Sequence, residues 1–260
     1  KVRSLVVREL GARIPQAQVH LGGAEVVFLP SPYLSLENLS LELPGKTLVQ
    51  IRRLEGYPDL MSLFSGTPRV QGFRILEPRV VMGVPRRTVS WARPEDPRGL
   101  SVLLSALPQM EGRIEDGEVQ IFGETVLHLR DIDAELDIEK ALRLDLHAKA
   151  NFGNALNLAV RSDPKRSQLK GTLRTEKLRL ELLAPYLPPD AAQWIGSSQI
   201  EMETDFTFSG GDEFRAAVRF QPSRFLVTSR TGAASLRLHA GSGTISNRGK
   251  TTRIRLKDLD

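Results

Sequence analysis

A chain of 260 residues is long enough to bury a core without covalent staples, and the absence of cysteine excludes disulfides, thiolate metal sites and cysteine nucleophiles. The net charge of +5, from 36 basic and 31 acidic side chains with only 6% aromatics, argues against a nucleic-acid module, which clusters cations with stacking rings. No window approaches the ~20 apolar residues of a membrane span.

Residues 2–14 have helical spacing. Val2, Leu5, Val6, Leu10 and Ile14 lie near one face, and Pro15 stops the run. Such a helix either caps a sheet or lies against a membrane. Strand patterns follow at 19–29, 34–43, 47–54, 70–76 and 79–84. The second carries Leu34 and Leu36, then Leu39, Leu41 and Leu43, with a break of phase at Glu37-Asn38. Pro58 and Gly66 bracket an expected short helix over 57–65, with Leu60, Leu63 and Phe64 placed to cover the sheet. Residues 86–99, with Pro94 and Pro97, read as a connection in which Trp91 is a packing anchor. A second short helix is expected over 100–107.

From residue 114 the pattern is a long series of strands: 114–122, 127–138, 142–150, 156–160, 168–174, 178–182, 199–208, 214–220, 225–228, 236–240 and 252–256. Asp116-Gly117 predicts a turn or bulge. Ser209-Gly210-Gly211-Asp212 and Asn247-Arg248-Gly249 read as hairpin turns, and Gly241-Ser242-Gly243 as a turn or loop. Alternation is sustained. Leu142, Leu144, Leu146, Ala148 and Ala150 share a face, with Arg143, Asp145, His147 and Lys149 opposite. This is the signature of antiparallel sheet with one wet and one dry face. The dry face needs a cover, which a second sheet, helices or a lipid supplies.

Asp131, Asp133, Glu135, Asp137 and Glu139 are the most conspicuous charges. Neighbours two apart along a strand are about 6.8 Å apart, too far to share a proton and too straight to wrap a calcium ion. Neutralisation across the next strand is the alternative. A loop at 140–142 would pair Glu139 with Arg143, Glu135 with His147 and Asp133 with Lys149, set Leu136 against Leu146, and leave Asp137 facing Asp145. His20, His128, His147 and His239 are dispersed, and no HExxH, GxSxG, P-loop or GxGxxG motif occurs. The sequence therefore names no catalytic residue, no metal ligand and no cofactor.

Leu29-Pro30-Ser31-Pro32-Tyr33-Leu34-Ser35-Leu36-Glu37-Asn38-Leu39-Ser40-Leu41, preceded by a helix and a strand, resembles the N-terminal module of AsmA-like proteins. Leu60-Met61-Ser62-Leu63-Phe64-Ser65-Gly66 is similar to that module's short helix, and Phe73-Arg74-Ile75-Leu76-Glu77-Pro78-Arg79-Val80 to its strand–proline–strand ending. Ile114-Glu115-Asp116-Gly117-Glu118-Val119 resembles a later family strand. The likeness is detailed over 1–84 and looser over 110–260. The family's usual leading membrane helix is missing from this sequence, which starts at Lys1.

The resemblance implies a periplasmic protein anchored to the inner membrane of a diderm bacterium, the anchor lying upstream of this sequence. Strands stack into an elongated, curved antiparallel sheet forming a hydrophobic groove. The expected organisation is an N-terminal module at 1–85, a connection at 86–109 and a continuing β-groove at 110–260, truncated at its C-terminal end. The implied function is binding and transfer of phospholipid or other acyl-chain lipid between inner and outer membranes, with no nucleic acid and no catalysis. Candidate lipid-contact residues are Leu34, Leu36, Leu142, Leu144, Leu146, Leu156, Leu158, Phe206, Phe208, Phe214, Val218, Phe220, Leu236 and Leu238. Ordinary core packing is their alternative role. Two other functions stand beside transfer: a periplasmic scaffold or assembly factor for outer-membrane proteins, acting by strand addition, and an enzyme with scattered catalytic residues.

Overall fold

The structure is a computed structural model. It describes residues 2–13, 17–29, 31–43, 47–59, 62, 69–83, 109–139, 141–163, 168–186, 198–209, 213–224, 227–229, 232–234, 241–248 and 251–257. The expected elements at 100–107 and 236–240, and most of the helix expected at 57–65, lie outside the described residues.

Helix α1 (Val2–Arg13) opens the chain. Strands β1 (Gln18–Val27), β2 (Tyr33–Leu43), β3 (Thr47–Pro58), β4 (Val70–Gly83), β5 (Met110–Phe122), β6 (Val126–Ile138), β7 (Leu142–Ala150), β8 (Ala155–Asp163) and β9 (Gln168–Arg179) follow. A helical turn, α2 (Leu180–Leu183), and a 3-10 turn (Ala184–Tyr186) precede β10 (Gln199–Ser209) and β11 (Glu213–Arg224). A small hairpin, β12 (Val227–Ser229) and β13 (Gly232–Ala234), comes next, then β14 (Gly241–Arg248) and β15 (Thr251–Lys257).

All strands except the β12–β13 hairpin join one 13-stranded sheet, and their order in space is their order in sequence. The protein is therefore mainly β, a long, curved, open sheet. Its accessible surface is 17733 Å². A compact monomer of 28.9 kDa would expose roughly 11,400 Å². The excess is what a single extended layer produces.

Sequential hairpins make the neighbours antiparallel, with one exception. β4 and β5 are parallel, Ile75 beside Ile114 and Val80 beside Val119. A parallel neighbour needs a crossover of a dozen or more residues, and the chain between Gly83 and Met110 has that length. The sheet continues through this pair.

Several boundaries differ from those the sequence predicts. Residues 70–76 and 79–83 belong to one strand, β4, in which Pro78 follows Glu77, a residue with a left-handed φ of 49°. At such an irregularity a missing N–H is tolerated. Tyr57 and Pro58 end β3 instead of starting a helix. Residues 168–174 and 178 share β9, and Leu180 to Leu183 are helical, not strand. Gly241, Ser242 and Gly243 are not a loop but the start of β14, which hydrogen-bonds to β11 and β15.

The densest packing lies at the N-terminal end. Leu21, Leu36 and Leu39 form a buried cluster, and Val6, Val7 and Leu10 of α1 lie against it. α1 thus caps the sheet. Its inward face differs from the expected one, since Val7 joins the contact and Val2 is exposed. At the β7–β8 end of the sheet, the α2 segment reaches across to the β5–β6 turn. Thr125 Oγ1 donates to the carbonyl of Leu182 at 3.0 Å, and the Tyr186 hydroxyl donates to the carbonyl of Thr125.

Candidate functional site

Register sorts the side chains into rows that cross the strands, because directly opposed residues share a face. One row reads Ala24, Leu36, Leu54, Ile75, Ile114, Ala134, Leu146, Leu158, Leu173, Thr204, Val218, Gly243, from β1 to β14. A second, beside it, reads Val26, Leu34, Gly56, Phe73, Gly112, Leu136, Leu144, Val160, Gly171, Phe206, Ala216. Neither contains a charged residue. Eleven interstrand steps of ~4.8 Å make the first row about 53 Å long.

Four of the strand irregularities sit in one line across the sheet. Asn38, Glu77, Asp116 and Asp131 take φ of 51°, 49°, 54° and 49°. Each lets apolar residues three apart stay on one face. Leu36 and Leu39 flank Asn38 and join the same cluster. Ile114 and Gly117 flank Asp116, and both oppose β6 residues of the apolar face, Ala134 and Ile132. The Asp116-Gly117 bulge expected from sequence is present as a register shift there.

Most of the sequence-nominated contact residues fall on this face. Leu34, Leu36, Leu144, Leu146, Leu158, Phe206 and Val218 are in the two rows. Leu142 stands opposite Ile138, Leu156 opposite Ala148 and Thr175, Phe208 opposite Leu169, and Phe220 opposite Met202, in flanking rows of the same face. Phe214 stands opposite Phe208 in backbone register. Leu236 and Leu238 lie outside the described residues. Sequence reasoning missed Leu54, Ile75, Ile114, Ala134, Leu136 and Leu173. Ala134 and Leu136 lie opposite the acid run in the same alternation and were not nominated; around Ile75 and Ile114 the three-residue steps interrupt a strict period-two reading, though Asp116-Gly117 marked one of them.

Three glycines of this face, Gly112 and Gly171 in the second row and Gly241 in the flanking row of Phe220, lie under phenylalanine rings. A Cβ on Gly112, Gly171 or Gly241 would fall 2.3 Å from Cζ of Phe73, Phe206 or Phe220 respectively. Each ring covers the backbone its glycine leaves bare, which keeps the apolar surface continuous.

The opposite face is an ionic ladder. Arg74 forks onto Glu115 at 3.0 and 2.6 Å, and Arg113 reaches the same carboxylate at 3.0 Å. Lys149 meets Asp131 at 2.9 Å; Arg219 meets Glu203 at 2.7 Å and Asp205 at 2.9 Å. The Arg74 and Lys149 contacts hold the Glu115 and Asp131 carboxyls below their ordinary range, and Arg219 does the same for Glu203. Burial alone would raise Glu118; bonds from Gln120 and His128 and the charge of Arg79 outweigh it, so it too lies low. A trough of about 560 Å³ opens on this face between Arg113, Asp133, Glu135, His147, Asn157 and Arg174.

The acid run is neutralised, but not in the expected register. The β6–β7 loop is 139–141, so Asp137 opposes Arg143, Leu136 opposes Leu144, and Glu135 faces Asp145. This register brings Asp131, not Asp133, to Lys149, although past the bulge the backbone partner of Lys149 is Arg130. His128 bonds Glu118 at 2.7 Å and His147 bonds Asn157 at 2.6 Å. Among the described residues, no three His, Asp or Glu side chains converge as a metal site. No helix among them is long and apolar enough to cross a membrane.

The face without charge, not a cluster of reactive groups, is the distinctive surface of this chain. No protein-family model matches it, and no curated protein does.

Proposed function

We propose that this chain binds acyl-chain lipid along the apolar face of its sheet and passes it between membranes, in the manner that its likeness to AsmA-like proteins implies. The observation that carries this reading is the pair of uncharged rows. α1 packs over that face at the β1–β3 end. A 53 Å track is longer than three leaflets are deep, taking half of a ~30 Å hydrocarbon core as one leaflet. Each methylene withdrawn from water contributes ~0.8 kcal/mol, spread evenly along the rows. A lipid so held is retained without being fixed at one point. Transfer of this kind needs no catalytic side chain. The reading places the chain in the periplasm, supporting the outer membrane.

The test is lipid capture in cells. A photocrosslinking residue at Leu144 or Phe220, on the apolar face, is expected to yield phospholipid adducts by mass spectrometry. One at Arg143, on the ladder face, is expected to yield none. Equal labelling from the two faces, or no lipid from either apolar position, sinks the proposal. The outer edge of β15 has no partner strand among the described residues, which favours a scaffold acting by strand addition as second reading. That reading expects protein adducts from β15 and no lipid from Leu144.

A further inference from the structure

Phe28 and Leu29, between β1 and β2, are the most exposed large apolar side chains described, at 72% and 83%, and Val26 beside them is 45% exposed. From Val26 to Leu36 the chain carries no charge, in a sequence where 26% of residues are charged. The strands that present the pair are held by Leu21, Leu36 and Leu39 beneath α1, a cluster that leaves Phe28 and Leu29 outside. Behind them, Tyr33 and Tyr57 pack ring against ring, with centroids 5.6 Å apart. Val26 opposes Leu34 at the first position of the second apolar row.

We infer that Phe28 and Leu29 insert into the surface of a lipid bilayer and that the track begins there. Two adjacent bulky side chains this exposed reach outward; they do not form the broad flat patch that joins two copies of a protein. Apolar tips backed by tyrosines are what a membrane interface accommodates, the rings lying at headgroup depth. The inference rests on the lipid-transfer reading and deepens it by naming where an acyl chain leaves a bilayer for the row at Val26 and Leu34. The contact is apolar, so it takes a bilayer of any headgroup and resists salt.

The chain has no cysteine, so one introduced thiol carries one label. An environment-sensitive fluorophore on Leu29→Cys is expected to shift to the blue with phosphatidylcholine vesicles, equally at low and high salt. The same label on Glu124→Cys, in the β5–β6 turn, is expected not to shift. Phe28→Ser/Leu29→Ser is expected to keep the wild-type melting temperature and to lose roughly tenfold or more in vesicle flotation. Unchanged flotation of that variant, failure of the wild-type chain to float, or a blue shift that grows with protein concentration without vesicles overturns the inference; the last assigns the tip to self-association. Lipid captured at Leu144 without vesicle binding overturns the tip alone. Vesicle binding through the tip without lipid at Leu144 upholds the tip and overturns the track.

Discussion

The ring of Phe73 in β4 lies so directly over Gly112 in β5 that a Cβ on the glycine would fall 2.3, 2.6 and 2.9 Å from three ring carbons. The three atoms nearest that position all belong to this one ring. Gly112→Ala is therefore expected to cost about 1–3 kcal/mol as an overpacking change. Phe73→Leu/Gly112→Ala is expected to recover part of it, because the obstruction is a side chain. Gly171 differs: its Cβ would also lie 2.7 Å from the carbonyl oxygen of Ala159. Shrinking Phe206 should not rescue Gly171→Ala. Urea unfolding of the two double-mutant cycles separates these outcomes.

The line of left-handed residues gives a second expectation. Glu77 holds φ of 49° without being glycine, a conformation that costs an L-residue roughly 1–2 kcal/mol. Its ion pair with Arg52 is largely solvent-exposed, and such a pair contributes about 0–1 kcal/mol. Glu77→Gly relieves the strain and loses little else. Glu77→Val adds a branched Cβ to the same conformation. Chemical denaturation is expected to place the glycine variant about 2 kcal/mol above the valine variant, with the native chain between them.

These residues explain which parts of the fold could be read from the sequence. Strands such as β7 alternate without interruption, and Leu142 to Ala150 is an element whose bounds match expectation. The period-two pattern fails where the backbone turns left-handed. Ile138 pairs with Leu142 across the β6–β7 turn, two residues away from the register that a loop at 140–142 gives, so every charge pair inferred by extending a regular ladder from that loop is displaced. β14 was hidden for another reason. Gly241 and Gly243 are strand residues because Phe220 covers one and Val218 opposes the other, a tertiary circumstance with no local signal. The dry face was visible as a composition of alternating leucines. Its continuity across β4 and β5 depends on a parallel pairing that hairpin logic does not predict.

Thr175 interrupts the apolar face between Leu156 and Met202. It is 6% exposed, and its hydroxyl has no hydrogen-bond partner among the described residues. An unpaired buried hydroxyl costs about 1–3 kcal/mol, whereas valine fills nearly the same space without it. Thr175→Val is expected to raise stability by about 1 kcal/mol, read as a higher urea midpoint with an unchanged slope.

The ionic ladder sets the acid limit of the fold. Glu115, Glu118, Asp131 and Glu203 all titrate below their ordinary values in the folded chain. Stability from such groups is complete above the unfolded values, near 4.3 for Glu and 3.9 for Asp, and is lost as pH falls through the lower folded values. The melting temperature is expected to be flat from pH 7 to about 5 and to fall below about 4. Arg74→Gln removes the fork on Glu115 and should make that fall shallower, while a variant of an unpaired exposed arginine should not.

Tyr57 sets a limit at the alkaline end. Burial raises its phenol first; the bond it donates to Glu55 at 2.7 Å and the charge of that carboxylate raise it further, against the opposing charge of Arg74. The result is a value pushed up to about 12. A raised acid keeps its proton more tightly folded than unfolded, so its stabilising contribution is complete below about pH 10 and is lost as pH rises through the folded value. The chain has three tyrosines, so phenolate absorbance resolves one of them readily. Subtracting the titration of Tyr57→Phe from that of the native chain should leave a single step near the alkaline end of the curve. A difference step near pH 10 would show that the Glu55–Tyr57 bond does not hold in solution.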